Sequence, residues 1–176
     1  RCDDGRCQAQ LTPPTMTDFD LFYNPETLGL GLQITGTDAD QDLQDFEIEL
    51  LDNTGRNVLT PGGQTRLEFV DIGYVGPQFT ATYTAVYDSL LTSQNQATLP
   101  LPQFVRGSVV VRDMADLRSE SAEALPVAPP VIGRNAVCDP NGGLNVCGGE
   151  DLCLDVDGDG VEPARCLPSD TGCPGK

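Results

Sequence analysis

The stretch "TLGLGLQIT", residues 27–35, alternates aliphatic residues with small or polar ones. Because successive side chains of a β-strand point to opposite faces, a period of two is typical of a strand with one buried face. The aliphatic members share the face that we expect to be buried: Leu28, Leu30, Leu32 and Ile34. The opposite face carries Gly29, Gly31 and Gln33. The stretch therefore predicts a core strand of a β-sheet.

The same period recurs from residue 17 to residue 127. Further predicted strands are "DFDLFYN" (18–24), "QDFEIELLD" (44–52), "RLEFV" (66–70), "FTATYTAVY" (79–87), "FVRGSVVVRD" (104–113) and "LRSESAEAL" (117–125). Turn sequences such as "DNTGR", "TPGG" and "YVGP" separate them. About seven short alternating strands predict an all-β fold, an antiparallel two-sheet sandwich. Residues 88–103 leave two alternatives, one helical turn capped by Asp88 or an extra edge strand.

Composition restricts the function. The chain has 27 acidic and 10 basic residues, and its net charge is −17, so nucleic acid and anionic membranes are repelled. No apolar run approaches the roughly 20 residues of a membrane span, so we predict no membrane insertion. The absence of histidine excludes Ser-His-Asp and Cys-His catalysis. We therefore predict a protein that is not an enzyme.

Four segments follow from the composition along the chain. We predict an N-terminal cysteine-containing arm (1–16), the sandwich (17–127), a proline-rich linker (128–137) and a cysteine-rich module (138–176). The module is too short and too polar to fold on a hydrophobic core alone, so disulfides and bound metal must stabilise it. We also expect that a secretion signal either has been removed ahead of Arg1 or lies outside this sequence.

The cysteines indicate a disulfide framework and an extracellular or cell-surface location. They are Cys2, Cys7, Cys138, Cys147, Cys153, Cys166 and Cys173. Because seven is odd, three alternatives stay open: one thiol is free, Cys2 and Cys7 do not pair with each other, or a bond joins two molecules.

The sequence "CLDVDGDGVEPARC", residues 153–166, carries the primary metal-site prediction. Asp155, Asp157 and Asp159 stand at the first, third and fifth positions of a calcium loop, and a glycine follows at the sixth. Pro163 and Pro168 exclude the helix that would follow an EF-hand loop. Glu162, a backbone carbonyl and water would complete the shell of a weak calcium site. The wording "DVDGDGVEPARC" resembles one thrombospondin type 3 repeat, which implies calcium loops paired with disulfides.

A secondary metal site is predicted from topology. In an immunoglobulin-like sandwich the B-to-C, D-to-E and F-to-G loops emerge at one pole. The strand assignment places six aspartates there: Asp38, Asp40, Asp42, Asp71, Asp113 and Asp116. Repulsion among clustered carboxylates favours a divalent cation, although aspartates are also common turn formers. The ligands we predict are Asp38, Asp40, Asp42 and Asp113.

The stretch "GTDADQDLQDFEIELLDNTGRNV" (36–58) and the predicted final hairpin "VVVRDMADLRS" (109–119) resemble bacterial surface modules of the immunoglobulin-like, fibronectin type III and cadherin-like kinds. The resemblance implies presentation, adhesion or spacing. We therefore predict a secreted, non-catalytic, calcium-stabilised structural or adhesion module of a bacterial surface, with a protein partner or other copies of itself. Two alternatives are a subunit of an extracellular filament assembled head to tail and an accessory domain of a secreted hydrolase.

Overall fold

The structure is a computed structural model that describes residues 11–60, 63–93, 100–155 and 163–169, and the backbone of residues 2–3 and 6–7. The N-terminal strands are β1 (Cys2–Asp3) and β2 (Arg6–Cys7), which pair antiparallel with Cys2 opposite Cys7. The sandwich strands are β3 (Thr15–Asn24), β4 (Gly29–Thr37), β5 (Leu43–Leu51), β6 (Thr65–Glu68), β7 (Asp71–Val75), β8 (Gln78–Val86), β9 (Arg106–Asp113), β10 (Ala122–Ala124) and β11 (Pro126–Val127).

Two sheets form the sandwich. One has the strand order β10-β9-β5-β6 and the other β11-β3-β4-β8-β7. Every neighbouring pair is antiparallel except β11, which runs parallel to β3. With β3 as strand A, the central strands follow the ABED and CFG orders of an immunoglobulin-type sandwich. The predicted fold class is confirmed.

The core lies between the two sheets and is built from alternate residues of their central strands. Leu30, Leu32 and Ile34 of β4 are fully buried, as the opening stretch predicts. Across the core, the ring of Phe46 on β5 packs edge-on against Tyr83 of β8, with centroids 5.2 Å apart. The buried partners from the remaining strands include Phe19, Leu21, Ile48, Leu50, Phe79, Ala81, Val109 and Val111.

The predicted strand at 66–70 ends early, and a second strand follows that the sequence did not predict and that overlaps the predicted turn at 74–77. β6 ends at Glu68 in the CFG-type sheet, and β7 begins at Asp71 in the other sheet. The alternation explains this crossing, since Leu67 and Phe69 occupy odd positions whereas Ile72 and Tyr74 occupy even ones, and all four pack against the core. A change of phase within an alternating run marks a break between two strands.

Between β8 and β9 the described residues form a helical turn, α1 (Tyr87–Leu90), which was one of the two alternatives for this region. Its N-cap is Val86, so Asp88 lies inside the turn and does not cap it as that alternative assumed. Tyr87 fixes this turn, because its ring is buried and its hydroxyl donates a hydrogen bond to the carbonyl of Pro102 at 2.5 Å. The aromatic rings of Tyr23 and Phe104 pack against the ring of Tyr87. The turn therefore closes one end of the sandwich core.

The predicted linker and cysteine-rich module, which we together call the tail (residues 128–176), have four short described strands: β12 (Val131–Ile132), β13 (Val146–Cys147), β14 (Asp151–Leu154) and β15 (Arg165–Pro168). β12 and β13 pair parallel, whereas β14 and β15 form an antiparallel hairpin. Disulfides join Cys138 to Cys153 and Cys147 to Cys166. The buried residues of this small core are two cysteines and Ala164. Disulfide sulfur thus takes the place of aliphatic side chains in the tail core.

Candidate functional site

Three loops meet at one pole of the sandwich, as the topology predicts. The loop from β4 to β5 meets the turn from β7 to β8, because the amide of Asp38 donates to the carbonyl of Pro77 at 2.7 Å. It also meets the loop after β9, because the amide of Met114 donates to the carbonyl of Asp42 at 2.9 Å. We call this region, formed by residues 38–42, 74–77 and 113–117, the acidic pole.

Asp38 organises the first loop of the acidic pole. Its side chain is fully buried, and its Oδ1 accepts the amide of Asp40 at 3.2 Å. Its Oδ2 accepts the amide of Asp42 at 2.9 Å and the hydroxyl of Tyr74 at 3.1 Å. Because both oxygens are occupied by protein donors, Asp38 shapes the loop and is a poor candidate for direct cation binding.

Tyr74 belongs to the acidic pole although the sequence did not indicate it, since it was assigned to the turn "YVGP", residues 74–77. Its hydroxyl donates to Asp38 and accepts the amide of Leu43 at 3.0 Å, so β7 is tied to the start of β5. Burial, followed by the negative charge of Asp38, raises the pKa of Tyr74 to about 12. The phenol therefore stays protonated and keeps donating at physiological pH.

Asp113 ends β9 and closes the F-to-G turn. Its Oδ1 accepts the amides of Ala115 at 2.9 Å and Leu117 at 2.8 Å. Its Oδ2 is also buried, yet within the described part of the chain it accepts no hydrogen bond. A buried ionised oxygen without a donor is destabilising. This oxygen is therefore available to a cation.

Asp42 supplies a second oxygen of the same kind. Its Oδ1 is buried and has no hydrogen-bond partner among the described residues. Burial, followed by the charges of Asp113, Asp38 and Asp40, raises the pKa of the Asp42 carboxyl. Asp42 and Asp113 thus lie close enough to repel each other, and each presents an unpaired oxygen. A bound divalent cation would relieve that repulsion.

The other aspartates predicted at this pole have different roles. Asp40 is exposed and accepts the amide of Thr12 at 3.1 Å, which fastens the segment before β3. Asp116 is exposed and forms an ion pair with Arg112. Asp71 is the first residue of β7, at the opposite end of that strand from the D-to-E turn, because the strand begins there. The pole thus gathers fewer free carboxylates than the six that were expected.

Oxygen geometry limits what the acidic pole offers a metal. Among the described residues, no set of three carboxylates places one oxygen of each within 4.8 Å of the others. The set of three side chains that does so consists of Cys138, Cys147 and Cys153, whose sulfurs are in disulfides and are not metal ligands. A cation at the pole would therefore rest on Asp42, Asp113, backbone carbonyls and water.

The primary calcium loop remains a prediction. Asp155 is exposed and directly follows β14. The remaining predicted ligands, Asp157, Asp159 and Glu162, lie outside the described residues, as does Cys173.

The tail docks against the outer face of the β4 sheet through a loop that we call the docking loop, residues 139–144. Asp139 is buried, and its Oδ2 accepts the hydroxyl of Thr84 on β8 at 2.6 Å. A Cβ atom on Gly31 would lie 2.5 Å from the carbonyl carbon of Gly143, and one on Gly29 would overlap the carbonyl of Asn141. The two glycines of the opening stretch therefore permit backbone-to-backbone packing.

Comparison of the chain with family models, curated proteins and solved structures finds no match. Within the described ranges, no helix has both the length and the apolar character that a membrane crossing requires. A function must therefore be argued from the sandwich, the acidic pole and the disulfide-bonded tail.

Proposed function

We propose that this chain is a secreted, non-catalytic module of a bacterial cell surface, structural or adhesive, which calcium stabilises. The observation that carries the proposal is the pair of buried carboxylate oxygens on Asp42 and Asp113 that accept no hydrogen bond from the described protein. A cation between the loops would neutralise both and would fix the B-to-C and F-to-G loops relative to each other.

Calcium suits this pole better than other common cations. The available ligands are oxygens only, which favours a hard cation. Magnesium prefers a strict octahedral shell with several waters, whereas calcium accepts irregular shells of six to eight oxygens. The net charge of −17 also concentrates cations around the chain. Sites with few protein ligands bind calcium at about 0.1 to 1 mM, which matches extracellular concentrations.

Two features support an extracellular, non-catalytic role. The two tail disulfides persist only in an oxidising compartment. The acidic pole lacks histidine, because the chain contains none, so a carboxylate there has no histidine partner for acid and base catalysis. A sandwich of this shape presents loops at its poles, which suits binding or spacing.

The proposal is tested by thermal unfolding in calcium and in chelator. With about 10 mM calcium and the affinity given above, one site adds about 1.4 to 2.7 kcal/mol to the free energy of unfolding. The Asp113→Asn substitution keeps the Oδ1 acceptor of the turn and replaces the unpaired oxygen with an amide. We expect this variant to lose the increase in the free energy of unfolding that calcium at the acidic pole contributes. In chelator it should be more stable than the parent.

Asp52→Asn is the matched control. Asp52 makes the same kind of turn at the other end of β5, where its Oδ1 accepts the amides of Thr54 at 2.8 Å and Arg56 at 3.0 Å. This variant should keep the full response to calcium. When both variants also carry the background substitutions Asp155→Ala and Asp157→Ala, the calcium response of the predicted tail loop no longer contributes to the measurement. An Asp113→Asn protein that responds to calcium like the parent in that background would disprove the pole site.

A further inference from the structure

The two tail disulfides form one cluster of sulfur atoms. The Sγ of Cys147 lies within 4.8 Å of the Sγ atoms of Cys138 and Cys153, which are bonded to each other. Cys166, the bonded partner of Cys147, is directly opposite Cys153 in the β14–β15 hairpin. Each bridge thus lies beside cysteines of the other bridge.

A second pairing fits the same cluster. Directly opposed residues of an antiparallel pair have Cα atoms about 4.5 to 5.5 Å apart, within the range of about 4.4 to 6.8 Å that disulfides span. The pair Cys153 and Cys166 therefore has the spacing of a cross-strand bridge. The other two cysteines, Cys138 and Cys147, already have their sulfurs within 4.8 Å. The cluster accommodates a Cys138–Cys147 bridge together with a Cys153–Cys166 bridge.

We propose that the tail is a thiol-exchange site at which an external thiol converts the first pairing into the second. A thiolate attacks the Sγ of Cys153, forms a mixed disulfide and releases the Cys138 thiolate. That thiolate attacks Cys147, forms the Cys138–Cys147 bond and releases the Cys166 thiolate. The Cys166 thiolate attacks the mixed disulfide at Cys153, forms the second new bond and returns the external thiolate. No net oxidation or reduction occurs.

Exposure sets the point of entry. Cys153 and Cys147 are partly exposed, whereas Cys138 is 5% exposed and Cys166 is fully buried. Thiol exchange requires access to the attacked sulfur, so an external thiol reaches Cys153 or Cys147 and not their partners. Attack at Cys147 leads to the same second pairing, because the released Cys166 thiolate lies opposite Cys153. The steps above follow attack at Cys153. The displaced thiolate of Cys138 is then generated inside the cluster, next to Cys147. Attack of this thiolate on the nearby Cys147 is intramolecular and is therefore favoured over its reaction with a second molecule from solution.

The exchange would change how the tail is held. In the observed pairing, both bridges connect the segment 138–147, which includes the docking loop, to the hairpin of β14 and β15. In the second pairing the Cys138–Cys147 bridge lies within the segment 138–147, and the Cys153–Cys166 bridge lies within the hairpin. The hairpin, which leads into the predicted calcium loop at Asp155, would then be held, apart from the chain itself, by noncovalent contacts alone, such as the hydrogen bond from the amide of Cys138 to the carbonyl of Ala164 and the ion pair of Arg134 with Asp151. A thiol would thereby remove both disulfide links between the hairpin and the docked segment.

Bridge mapping tests this directly on the full chain with a Cys173→Ser substitution, so that any new link belongs to Cys166. The protein is incubated with reduced glutathione or without it, alkylated at acidic pH, and cleaved after Arg134, Glu150 and Arg165. The observed pairing links all three fragments, 135–150, 151–165 and 166–176, into one species. The second pairing gives an internally bridged 135–150 and a separate 151–165 joined to 166–176.

We expect glutathione to cause loss of the three-fragment species and gain of the two products of the second pairing, while the sample without thiol keeps the first pairing. A Cys147→Ser/Cys166→Ser variant should show reduction of Cys138–Cys153 and no second pairing. Stepwise reduction without the two products would overturn the proposal, and so would bridges that glutathione leaves intact. Because calcium at the acidic pole plays no part, this outcome is independent of the proposed function.

Discussion

The acidic pole and the docking loop are built on the same aspartate turn, yet they use the carboxylate differently. In both, an aspartate side chain accepts the amides of residues two and four positions later, the local bonding that makes aspartate a turn former. Asp113 does so with Ala115 and Leu117. Asp139 does so with Asn141 and Gly143, and it also accepts the amide of Leu144 at 2.8 Å. The two turns differ in which oxygen accepts: Asp113 accepts both amides with Oδ1, whereas Asp139 accepts Asn141 with Oδ1 and Gly143 and Leu144 with Oδ2.

The second oxygen of each aspartate therefore has a different set of donors, some from its own turn and some from the surrounding protein. The Oδ2 of Asp139 has three donors, including the Thr84 hydroxyl from the neighbouring sheet. The Oδ2 of Asp113 is equally buried and has none among the described residues. A saturated carboxylate holds two parts of a protein together, whereas an unsaturated one requires a proton or a cation. Burial alone does not separate the two cases; the local amides and the Thr84 hydroxyl together do.

Gly31→Ala should have the largest effect on stability, because it disrupts the backbone packing between β4 and the docking loop. The new Cβ would lie 2.5 Å from the carbonyl carbon of Gly143, and backbone cannot rotate away as a side chain can. We expect a loss of about 3 kcal/mol in the free energy of unfolding, the upper part of the range for overpacking. Urea denaturation followed by circular dichroism measures it.

Gly73→Ala serves as its control, since Gly73 is also a strand glycine of this sheet and its Cβ would lie 3.9 Å from the carbonyl oxygen of Thr80, an ordinary contact. This variant should change stability by less than about 1 kcal/mol. Equal stability of the Gly31→Ala protein and the parent would mean that the docking loop does not lie on β4 in solution.

Asp139→Asn should have an intermediate effect and should oppose Asp113→Asn in sign. An amide at residue 139 replaces an acceptor with a donor among backbone amides that already point at it, which costs about 2 kcal/mol. Thr84→Val removes the hydroxyl that donates to Asp139 and should lower the free energy of unfolding by about 1 kcal/mol. The measurement is chemical denaturation in chelator, where Asp113→Asn is expected to be stabilising. If both asparagine variants lost stability equally, the contrast between the two turns would fail.

Much of the sandwich could be predicted because a buried face leaves a period of two in the sequence. Leu30, Leu32 and Ile34 are buried as the alternation indicates. The method failed at β7, where the phase of the alternation shifts between Phe69 and Ile72. A shift of one residue is a weak signal in a short strand, and it hid the change of sheet.

The acidic pole could be predicted in outline because topology brings loops together, but the role of each carboxylate could not. Asp38 and Asp113 are both aspartates that precede turns, and only their three-dimensional donors distinguish them. The Oδ2 of Asp38 accepts a hydrogen bond from the hydroxyl of Tyr74, whereas the Oδ2 of Asp113 accepts none from the described residues. Gly29 and Gly31 were likewise assigned to an open face, because a sequence pattern does not show which distant segment covers a strand.

The smallest predicted effect is the pH dependence of the acidic pole. The raised pKa of Asp42, caused by burial and then by Asp113, Asp38 and Asp40, means that the folded state holds this proton more tightly than the unfolded chain does. In chelator, ionised Asp42 therefore lowers stability at neutral pH, and the loss is relieved as pH falls through the folded pKa toward the unfolded value of about 3.9. Asp42→Asn should be more stable than the parent near neutral pH, with an advantage that disappears in acid.

The opposite trend is expected of Asp52→Asn. Hydrogen bonds from the Thr54 hydroxyl and the Arg56 amide lower the pKa of Asp52, so its ionised form contributes stability that is present above the unfolded pKa and lost as pH falls through the folded one. The parent should exceed this variant at neutral pH and match it in acid. Denaturation of the three proteins between about pH 4 and 7 in chelator gives both differences. An Asp42→Asn advantage that stayed constant over that range would show that repulsion among ionised carboxylates is not what the cation relieves.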